Sequence, residues 1–317
     1  MKAYILKSAE KICEKEIPVP RIKEDQILIR MLGCGMCHSE LADWMRGSPQ
    51  GTILGHEPVG IVEKTGRLVR DFLPGDRVTG LFQHCFAEYT AAPQELVLKV
   101  PDSLQNEEAV GEPWSCLLSG ADRMSLRLGD AAAVVGCGFM GLGVIELLKL
   151  MGAGKVIAVD LRKESLDWAR RIGADEVYFP DQIPGEYVVD QWDDRIFLRG
   201  VDVAVEASGS ASGLTLAGRL VKPHGTVGIV GYHQNPAGRV VDMQLWNWKA
   251  VTVVNAHERR VSCQMEYMRR ALRLIEMGKL KALPLITHRY QPKDLNQAFE
   301  AMREKPENYI KGYVDFR

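Results

Sequence analysis

The chain has 317 residues, of which 46% are hydrophobic, and this length favours about two domains with sizeable cores. Its 40 basic and 41 acidic residues nearly balance, and they form no basic stripe or long block of like charge. This charge pattern argues against nucleic acid and anionic membrane as partners. No apolar run approaches the roughly 20 residues that cross a bilayer, and the seven cysteines are an odd, scattered set. We therefore expect a soluble, cytoplasmic protein with reduced thiols.

The first hundred or so residues contain short β-branched runs separated by glycine, proline and charge. These runs are DQILIRML, GIVEKTGRLV, GDRVTGLF, FAEYTAA and ELVLKVP. Their spacing predicts a compact, mostly antiparallel β unit.

From about residue 120 the pattern changes to strands that are apolar on both faces, alternating with helices. The strands are DAAAVVG, KVIAVD, VDVAVEASG, GTVGIVG and AVTVVNA, and the helices are MGLGVIELLKLMG, ESLDWARRIGA and ASGLTLAGRLVKPHG. This alternation predicts an α/β domain with a parallel, doubly wound sheet at residues 121–256.

The last 60 or so residues are too few to fold alone. They predict a helix at MEYMRRALRLIEMGKL, a strand around LITHRY, a helix around DLNQAFEAMREK and a short strand at KGYVDFR. We expect residues 257–317 to pack against residues 1–120 and to complete one domain with them.

A glycine-rich turn follows the first strand of the doubly wound domain. Gly136, Gly138 and Gly141 have the GxGxxG spacing, with Phe139 and Met140 between them. The motif is preceded by a buried strand and opens a helix, which is the context that dinucleotide binding requires. The first glycine permits the turn, the second lets the backbone approach a pyrophosphate, and the third lets the helix close on the strand.

An acidic residue then indicates the choice of cofactor. Asp160 lies 19 residues after the last glycine, at the end of KVIAVD. Its carboxylate can accept hydrogen bonds from ribose hydroxyls, and it would repel a 2′-phosphate by roughly 4 kcal/mol per unit pair at an effective dielectric of 20. Arg162 could soften that repulsion, but the sequence favours NAD over NADP.

Potential metal ligands are scattered through the first third of the chain. Cys37 precedes His56 by 19 residues, Glu57 is adjacent to His56, and Glu112 lies in VGEPWSCLLSG. A thiolate and an imidazole are good zinc ligands, and catalytic zinc takes three protein ligands. An isolated cysteine and histidine are more often core or surface residues, and it is the neighbouring acids that favour a metal site here.

These motifs together resemble the zinc-dependent medium-chain dehydrogenase/reductase family. The resemblance rests on CGMCHSE, GHEPVG, GDRV, FAEY, GEPWS, GCGFMG and LITH in this order, and it spans essentially the whole chain. The GHE and GEP elements are most similar to the sorbitol and threonine dehydrogenase branch. The resemblance implies a GroES-like β barrel built from both chain ends, and a Rossmann domain between them.

The resemblance also implies roles for individual residues. Cys37 and His56 match the family's zinc ligands, and Glu57 matches a carboxylate that can ligate directly. Glu112 matches a fourth candidate that binds the metal directly or through water. Ser39 matches the hydroxyl that takes the proton of the alcohol. The expected cofactors are one catalytic Zn²⁺ per chain and NAD.

The chain departs from the family at two places. Only TGLFQHC separates GDRV from FAEY, where many relatives carry a lobe with four cysteines, so we predict no structural zinc. His84 and Cys85 in this segment are interpreted as loop residues. Ala42 stands where many relatives place the last histidine of the proton relay, which leaves the ribose and water, or His38, as the route for the proton.

The implied activity is oxidation of a secondary alcohol to a ketone with hydride transfer to NAD. Polyols, sugar alcohols and hydroxy-amino acids are the candidate substrates. The alternatives are a zinc-independent enoyl or quinone reductase of the same superfamily, and a non-catalytic NAD-binding protein. AVTVVNA reads as the last strand of the Rossmann sheet, and its exposed edge favours a homo-oligomer, either a dimer or a tetramer.

Overall fold

The computed structural model describes residues 1–48, 50–192, 196–234 and 238–317. The chain divides into two compact units, one formed by residues 1–115 and 260–317 and the other by residues 116–259. The sequence placed these boundaries at 120/121 and 256/257. Within the described ranges, no helix is long and apolar enough to span a membrane.

The N-terminal part of the chain is rich in short strands, as predicted. Its strands are β1 (Lys2–Ser8), β2 (Lys11–Glu16), β3 (Gln26–Gly35), β4 (Thr52–Ile53), β5 (Glu57–Thr65), β6 (Arg77–Gly80), β7 (Tyr89–Pro93) and β8 (Val97–Lys99), and its helices are α1 (Leu41–Arg46) and α2 (Gly111–Arg123). β1 pairs with β2 and β4, and β3 pairs with β5 and β7, all antiparallel. The α2 helix, which includes the GEPWS motif, was not predicted from the sequence.

The middle of the chain forms the predicted doubly wound sheet. Its elements are β9 (Ala131–Val135), α3 (Phe139–Leu150), β10 (Lys155–Val159), α4 (Lys163–Ile172), β11 (Glu176–Tyr178), β12 (Val201–Glu206), α5 (Ala211–Leu220), β13 (Val221–Ile229), α6 (Met243–Lys249) and β14 (Thr252–Asn255). All pairs are parallel, in the order β11-β10-β9-β12-β13-β14. From β9 the chain adds β10 and β11 on one side of the sheet, and it then returns to add β12, β13 and β14 on the other side. Sheets of this kind bind ligands at the carboxyl ends of the strands where the direction of addition changes, which is between β9 and β12 here.

One predicted helix end is wrong. The sequence extended the α5 helix through VKPHG, but the helix ends at Leu220 and the next residues belong to β13. Pro223 has no N–H for a helix interior, and His224 adopts a left-handed φ of 61°. The pairing of β12 with β13 shifts register at this point, so the segment is an irregular start of a strand. The β11 and α6 elements were also not predicted.

The C-terminal part folds onto the N-terminal β unit, as predicted. Its elements are α7 (Val261–Glu276), β15 (His288–Tyr290), α8 (Leu295–Glu304) and β16 (Gly312–Asp315). β16 pairs with β3 in a sheet of order β15-β16-β3-β5-β6-β8. Phe299 of α8 stacks on the fully buried Trp44 of α1, with ring centroids 5.4 Å apart. The two chain ends therefore share one hydrophobic core.

Residues 81–88 form the short connection between β6 and β7. His84 lies exposed in this loop with a φ of 65°, but Cys85 is fully buried. The Cys85 thiol donates to the carbonyl of Phe82 at 3.4 Å. Cys85 is therefore a loop residue, as interpreted from the sequence, but its side chain lies in the core of the first unit.

Lys249 is a buried cation at the end of α6. Its Nζ donates to the carbonyls of Gly218, Arg219 and Val221 at 2.8, 3.2 and 2.9 Å. These carbonyls lie at the C-terminal end of α5 and just after it, so Lys249 satisfies acceptors that the helix leaves unpaired. Burial lowers the pKa of Lys249 to about 8.

Candidate metal centre and nucleotide site

The structure brings Cys37, His56 and Glu57 together. Cys37 follows the end of β3, and Glu57 is the first residue of β5, where it pairs with Gly35. One ligand atom from each of the three side chains lies within 4.8 Å of the others. In the part of the chain that the structure describes, this is the one group of at least three such side chains. The antiparallel pairing of β3 with β5 therefore joins residues that are 19 and 20 positions apart.

Gly35 makes room for the carboxylate of Glu57. A Cβ atom at this position would overlap Oε2 of Glu57 and would lie 3.1 Å from Val110 Cγ1. A side chain at residue 35 would therefore displace Glu57 from the group of three.

Glu40 orients His56, and the sequence did not predict this role. Oε1 of Glu40 accepts from Nδ1 of His56 at 2.9 Å and from the backbone N–H of Gly55 at 2.7 Å. This contact leaves Nε2 for a ligand. Burial lowers the pKa of His56, but hydrogen bonds with Cys37 and Glu40 outweigh burial and raise that pKa above its ordinary value.

Lys311 is a second residue that the sequence did not predict. Its Nζ donates to Oε1 of Glu57 at 2.9 Å and to the carbonyl of Met36 at 3.1 Å, and it lies 2.7 Å from Oε2 of Glu57. The Lys311 and Glu57 side chains are only 5% and 1% exposed. Burial alone would lower the pKa of Lys311, but the charges of Glu57, Cys37 and Glu112 raise it above its ordinary value. The ammonium therefore belongs to the same buried group as the candidate ligands.

Ser39 and Glu112 lie near this group without belonging to it. Oγ of Ser39 donates to Sγ of Cys37 at 3.1 Å. Glu112 lies in the first turn of α2, and its charge acts on Lys311. Glu112 is not among the three side chains whose ligand atoms lie together.

The three grouped side chains fit a zinc ion. Thiolate, imidazole and carboxylate are the donors that zinc takes from proteins, and three of them leave one position open. Within the described part of the chain, the buried Oε2 of Glu57 makes no hydrogen bond of good geometry, and its one close partner is the Lys311 ammonium at 2.7 Å. A carboxylate oxygen has two lone pairs, so Oε2 can face a metal ion as well as the ammonium.

The glycine-rich turn joins β9 to α3 with the geometry that the spacing predicts. Gly136 has a φ of 97°, and a Cβ atom there would lie 2.6 Å from the backbone nitrogen of Ser208. A Cβ atom at Gly138 would meet nothing within 4 Å, and one at Gly141 would overlap the carbonyl of Gly136. The turn is therefore tight at its first and third glycines and open at its second.

The α3 helix begins directly after this open glycine. Gly138 is its N-cap, Phe139 and Met140 are its first residues, and no side chain caps it. The N-terminus of the helix that follows such a turn is where a doubly wound domain places the pyrophosphate of a dinucleotide.

Asp160 lies at the carboxyl end of β10, beside this turn. Oδ2 accepts from the backbone N–H of Cys137 at 2.7 Å, and Oδ1 accepts from that of Arg162 at 2.8 Å. The Arg162 side chain donates to the Ser165 hydroxyl at 2.8 Å. The carboxylate is thus fixed at the end of the strand, and each of its oxygens retains a second lone pair.

Glu206 supports the same edge of the sheet, although the sequence did not single it out. It is fully buried at the end of β12, and its Oε1 accepts from the N–H groups of Ser208 and Gly209 at 2.7 and 2.8 Å. Its Oε2 pairs with Nε2 of His233 at 2.9 Å. Ser208 is the residue that packs on Gly136, so this carboxylate holds the second wall of the turn.

These features define a class of protein. A doubly wound sheet with an open glycine turn and a carboxylate after its second strand is a dinucleotide-binding domain. The other unit combines a β sheet with a thiolate, imidazole and carboxylate group that suits catalytic zinc. Together they are the parts of a zinc-type nicotinamide-dependent dehydrogenase.

Comparisons with known proteins agree with this class. Residues 23–102 match the family model of the alcohol dehydrogenase GroES-like domain, and residues 140–276 match that of zinc-binding dehydrogenases. The sorbitol dehydrogenase of Bacillus subtilis strain 168 is 31% identical over 73% of this chain and 75% of its own length. The chain belongs to the zinc-type medium-chain alcohol dehydrogenase family.

Solved structures share the whole fold. The 2R,3R-butanediol dehydrogenase of Bacillus subtilis has a TM-score of 0.85 and 26% identity, covering 100% of this chain and 99% of its own. A zinc-binding dehydrogenase from Sinorhizobium meliloti 1021, bound to NADP, has a TM-score of 0.86 and 25% identity, covering 99% and 98%. The family, the GroES-like and Rossmann fold and the enzyme class predicted from the sequence are confirmed. The chain is an oxidoreductase of small-molecule alcohols whose class uses zinc and a nicotinamide cofactor.

Proposed function

We propose that the protein oxidises a secondary alcohol of the polyol class to the ketone, with one catalytic zinc ion and with NAD as hydride acceptor. The observation that carries this proposal is the grouping of Cys37, His56 and Glu57 within 4.8 Å. A zinc-independent enoyl or quinone reductase has no use for such a group. A non-catalytic NAD-binding protein has no use for Ser39 beside it.

Cys37, His56 and Glu57 would hold the metal. When bound there, zinc supplies Lewis acidity, which lowers the pKa of a hydroxyl group that it contacts. Glu40 fixes the ring of His56 through Nδ1, and such carboxylate partners raise the basicity of a histidine ligand. Glu112 would act through water, since it stands outside the group of three.

Ser39 would accept the hydroxyl proton of the substrate. Its Oγ lies 3.1 Å from Sγ of Cys37, so it stands next to the point where the substrate oxygen would bind. Bound NAD would supply the hydride acceptor for the carbinol carbon, and Ser39 would pass the proton on to solvent. The balance is alcohol and NAD⁺ on one side, and ketone, NADH and a proton on the other.

The choice of a polyol rests on similarity and on chemistry. The relatives reported above include a sorbitol and a butanediol dehydrogenase, which act on substrates with more than one hydroxyl group. Vicinal hydroxyls can chelate one metal ion, and a site with a carboxylate ligand suits them. The choice of NAD rests on Asp160, since a 2′-phosphate beside that carboxylate would be repelled.

A panel of alcohols tests the proposal. With purified, zinc-loaded protein and NAD, we expect NADH fluorescence to rise with sugar alcohols, inositols or vicinal diols, and much less with primary alcohols. Complete removal of zinc should abolish this signal. Equal activity without zinc would point to the reductase alternative, and NAD binding without turnover of any alcohol would point to a binding protein.

We also propose that the chain forms a homo-oligomer through β14. This strand is the last of its sheet and pairs only with β13 among the described residues. Thr252 and Val253 on it are exposed, and Val253 is 45% exposed. An apolar, unpaired edge of this kind invites pairing with a second copy. Light scattering at micromolar concentration tests this proposal, and a monomer would rule it out.

A cytoplasmic location stays a prediction that rests on the seven scattered cysteines.

A further inference from the structure

Lys311 stands out among the buried cations because it contacts a candidate metal ligand. Its ammonium lies within 2.9 Å of both carboxylate oxygens of Glu57, and both side chains are almost completely excluded from solvent. Metal binding alone would not call for a positive charge beside a site for a divalent cation. The ammonium both repels the ion and competes with it for the carboxylate.

We propose that Lys311 is the internal counter-ion of the metal site, which holds Glu57 in the metal-free protein and limits how tightly the site binds zinc. This inference rests on the proposed function, because it takes Cys37, His56 and Glu57 as the zinc ligands. Lys311 is a positioning residue, since it acts through Glu57.

The position of Lys311 in the fold supports this role. It lies directly before β16, and the backbone N–H of Met36 donates to the carbonyl of Gly312 at 2.9 Å. The same segment places the Lys311 ammonium on the carbonyl of Met36, next to Cys37. The residue before the C-terminal strand β16 thus places a cation beside the candidate ligands that β3 and β5 position.

The charges near Glu57 explain why a counter-ion is needed. Without a metal, Glu57 is a buried carboxylate close to the Cys37 thiol, and Glu112 adds a second carboxylate nearby. A buried charge without a partner is strongly destabilising. Lys311 stabilises the folded protein before the metal arrives, and the group of three ligands is therefore preformed.

The test compares Lys311→Met with the wild type in two measurements. In the metal-free protein, Lys311→Met should lower the Tm by about 5 to 15 °C, because Glu57 loses its partner. In a competition against a chromophoric chelator, the same variant should bind zinc at least about tenfold more tightly, because the repulsion and the competition are gone. A purely structural role for Lys311 would lower the Tm and weaken zinc binding instead.

Two further variants keep the test interpretable if Lys311→Met folds poorly. The double variant Glu57→Gln with Lys311→Met removes both charges, and its metal-free Tm should return towards that of the wild type. Lys311→Arg keeps the charge, and its zinc affinity should stay close to that of the wild type.

Lys249→Met is the matched control. It removes a buried lysine of the other unit, whose partners are three backbone carbonyls. It should lower the Tm and leave zinc affinity unchanged.

The outcomes separate this inference from the proposed function. Wild-type protein that takes up no zinc overturns both. Wild-type uptake with equal or weaker binding by Lys311→Met overturns the role of Lys311 alone. Additive losses of Tm in the double variant would also overturn it, because they would show that Lys311 does not act through Glu57.

Discussion

Replacing Cys37 with alanine is expected to lower kcat/KM by at least about 10³-fold, because Lewis-acid assistance supplies several kcal/mol to reactions of this kind. Zinc content should fall from about one ion per chain to well below one. NAD binding should change little, because the glycine turn lies in the other unit. Metal analysis, steady-state kinetics and an NAD titration check the three parts.

Cys34→Ala is the matched control for this variant. Cys34 lies three residues earlier in the same CxxC, is fully buried, and donates to the carbonyl of Gly35 at 3.4 Å. Burial, together with the neighbouring Cys85, raises the pKa of the Cys34 thiol well above its ordinary value. Its removal should leave zinc content near one ion per chain. A Cys37→Ala protein that retains its zinc would contradict the site, and two zinc ions in the wild type would contradict the prediction of no structural zinc.

Replacing Asp160 with asparagine is expected to reduce the preference for NAD over NADP by about 10- to 100-fold in kcat/KM. This change is smaller than a full repulsion of roughly 4 kcal/mol between two unit charges would give, because Asp160 is only half-buried and salt screens its charge. The measurement is the ratio of kcat/KM with NAD to kcat/KM with NADP, in the wild type and in the variant. Asp160 also accepts a hydrogen bond from the N–H of Cys137. Loss of that bond would loosen the turn and weaken the binding of NAD and NADP alike, so it would not change the ratio.

Asp202→Asn is the control for the cofactor experiment. Its carboxylate also accepts a backbone N–H, that of Ala131 at 2.9 Å, but it lies at the amino end of β12, away from the glycine turn. The ratio of NAD to NADP activity should not change. A wild-type enzyme that prefers NADP would show that Arg162, rather than Asp160, dominates the ribose pocket.

The predictions that succeeded rest on local signals. Strands with apolar residues on both faces predicted a sheet covered by helices, and the GxGxxG spacing predicted a turn that only glycine can make at Gly136. The predictions that failed fall where a local signal is ambiguous. VKPHG was taken for a helix end because it closes with a glycine, Gly225, although Pro223 already argued against a helix. The β11 strand is only three residues long and carries no periodicity to detect.

The residues of the candidate metal site also divide into those that a local sequence signal indicates and those that only the folded structure reveals. Cys37, His56 and Glu57 could be chosen from their residue types and from the resemblance to a known family. Lys311 could not, because it lies 254 residues from Glu57 and no local pattern distinguishes it from a surface lysine. Glu40 carried a weak signal, as an acid three residues after Cys37, but only its contact with His56 gives it a role.

The sequence by itself determined the kind of protein, because hydrophobic periodicity, glycine spacing and ligand types are properties of neighbouring residues. The tertiary structure decided the charge of the metal site, because that charge depends on which side chains are buried together. The pairing of β16 with β3 brings a lysine from the end of the chain to a carboxylate near its beginning. Water is excluded there, so the two charges must satisfy each other or a metal ion.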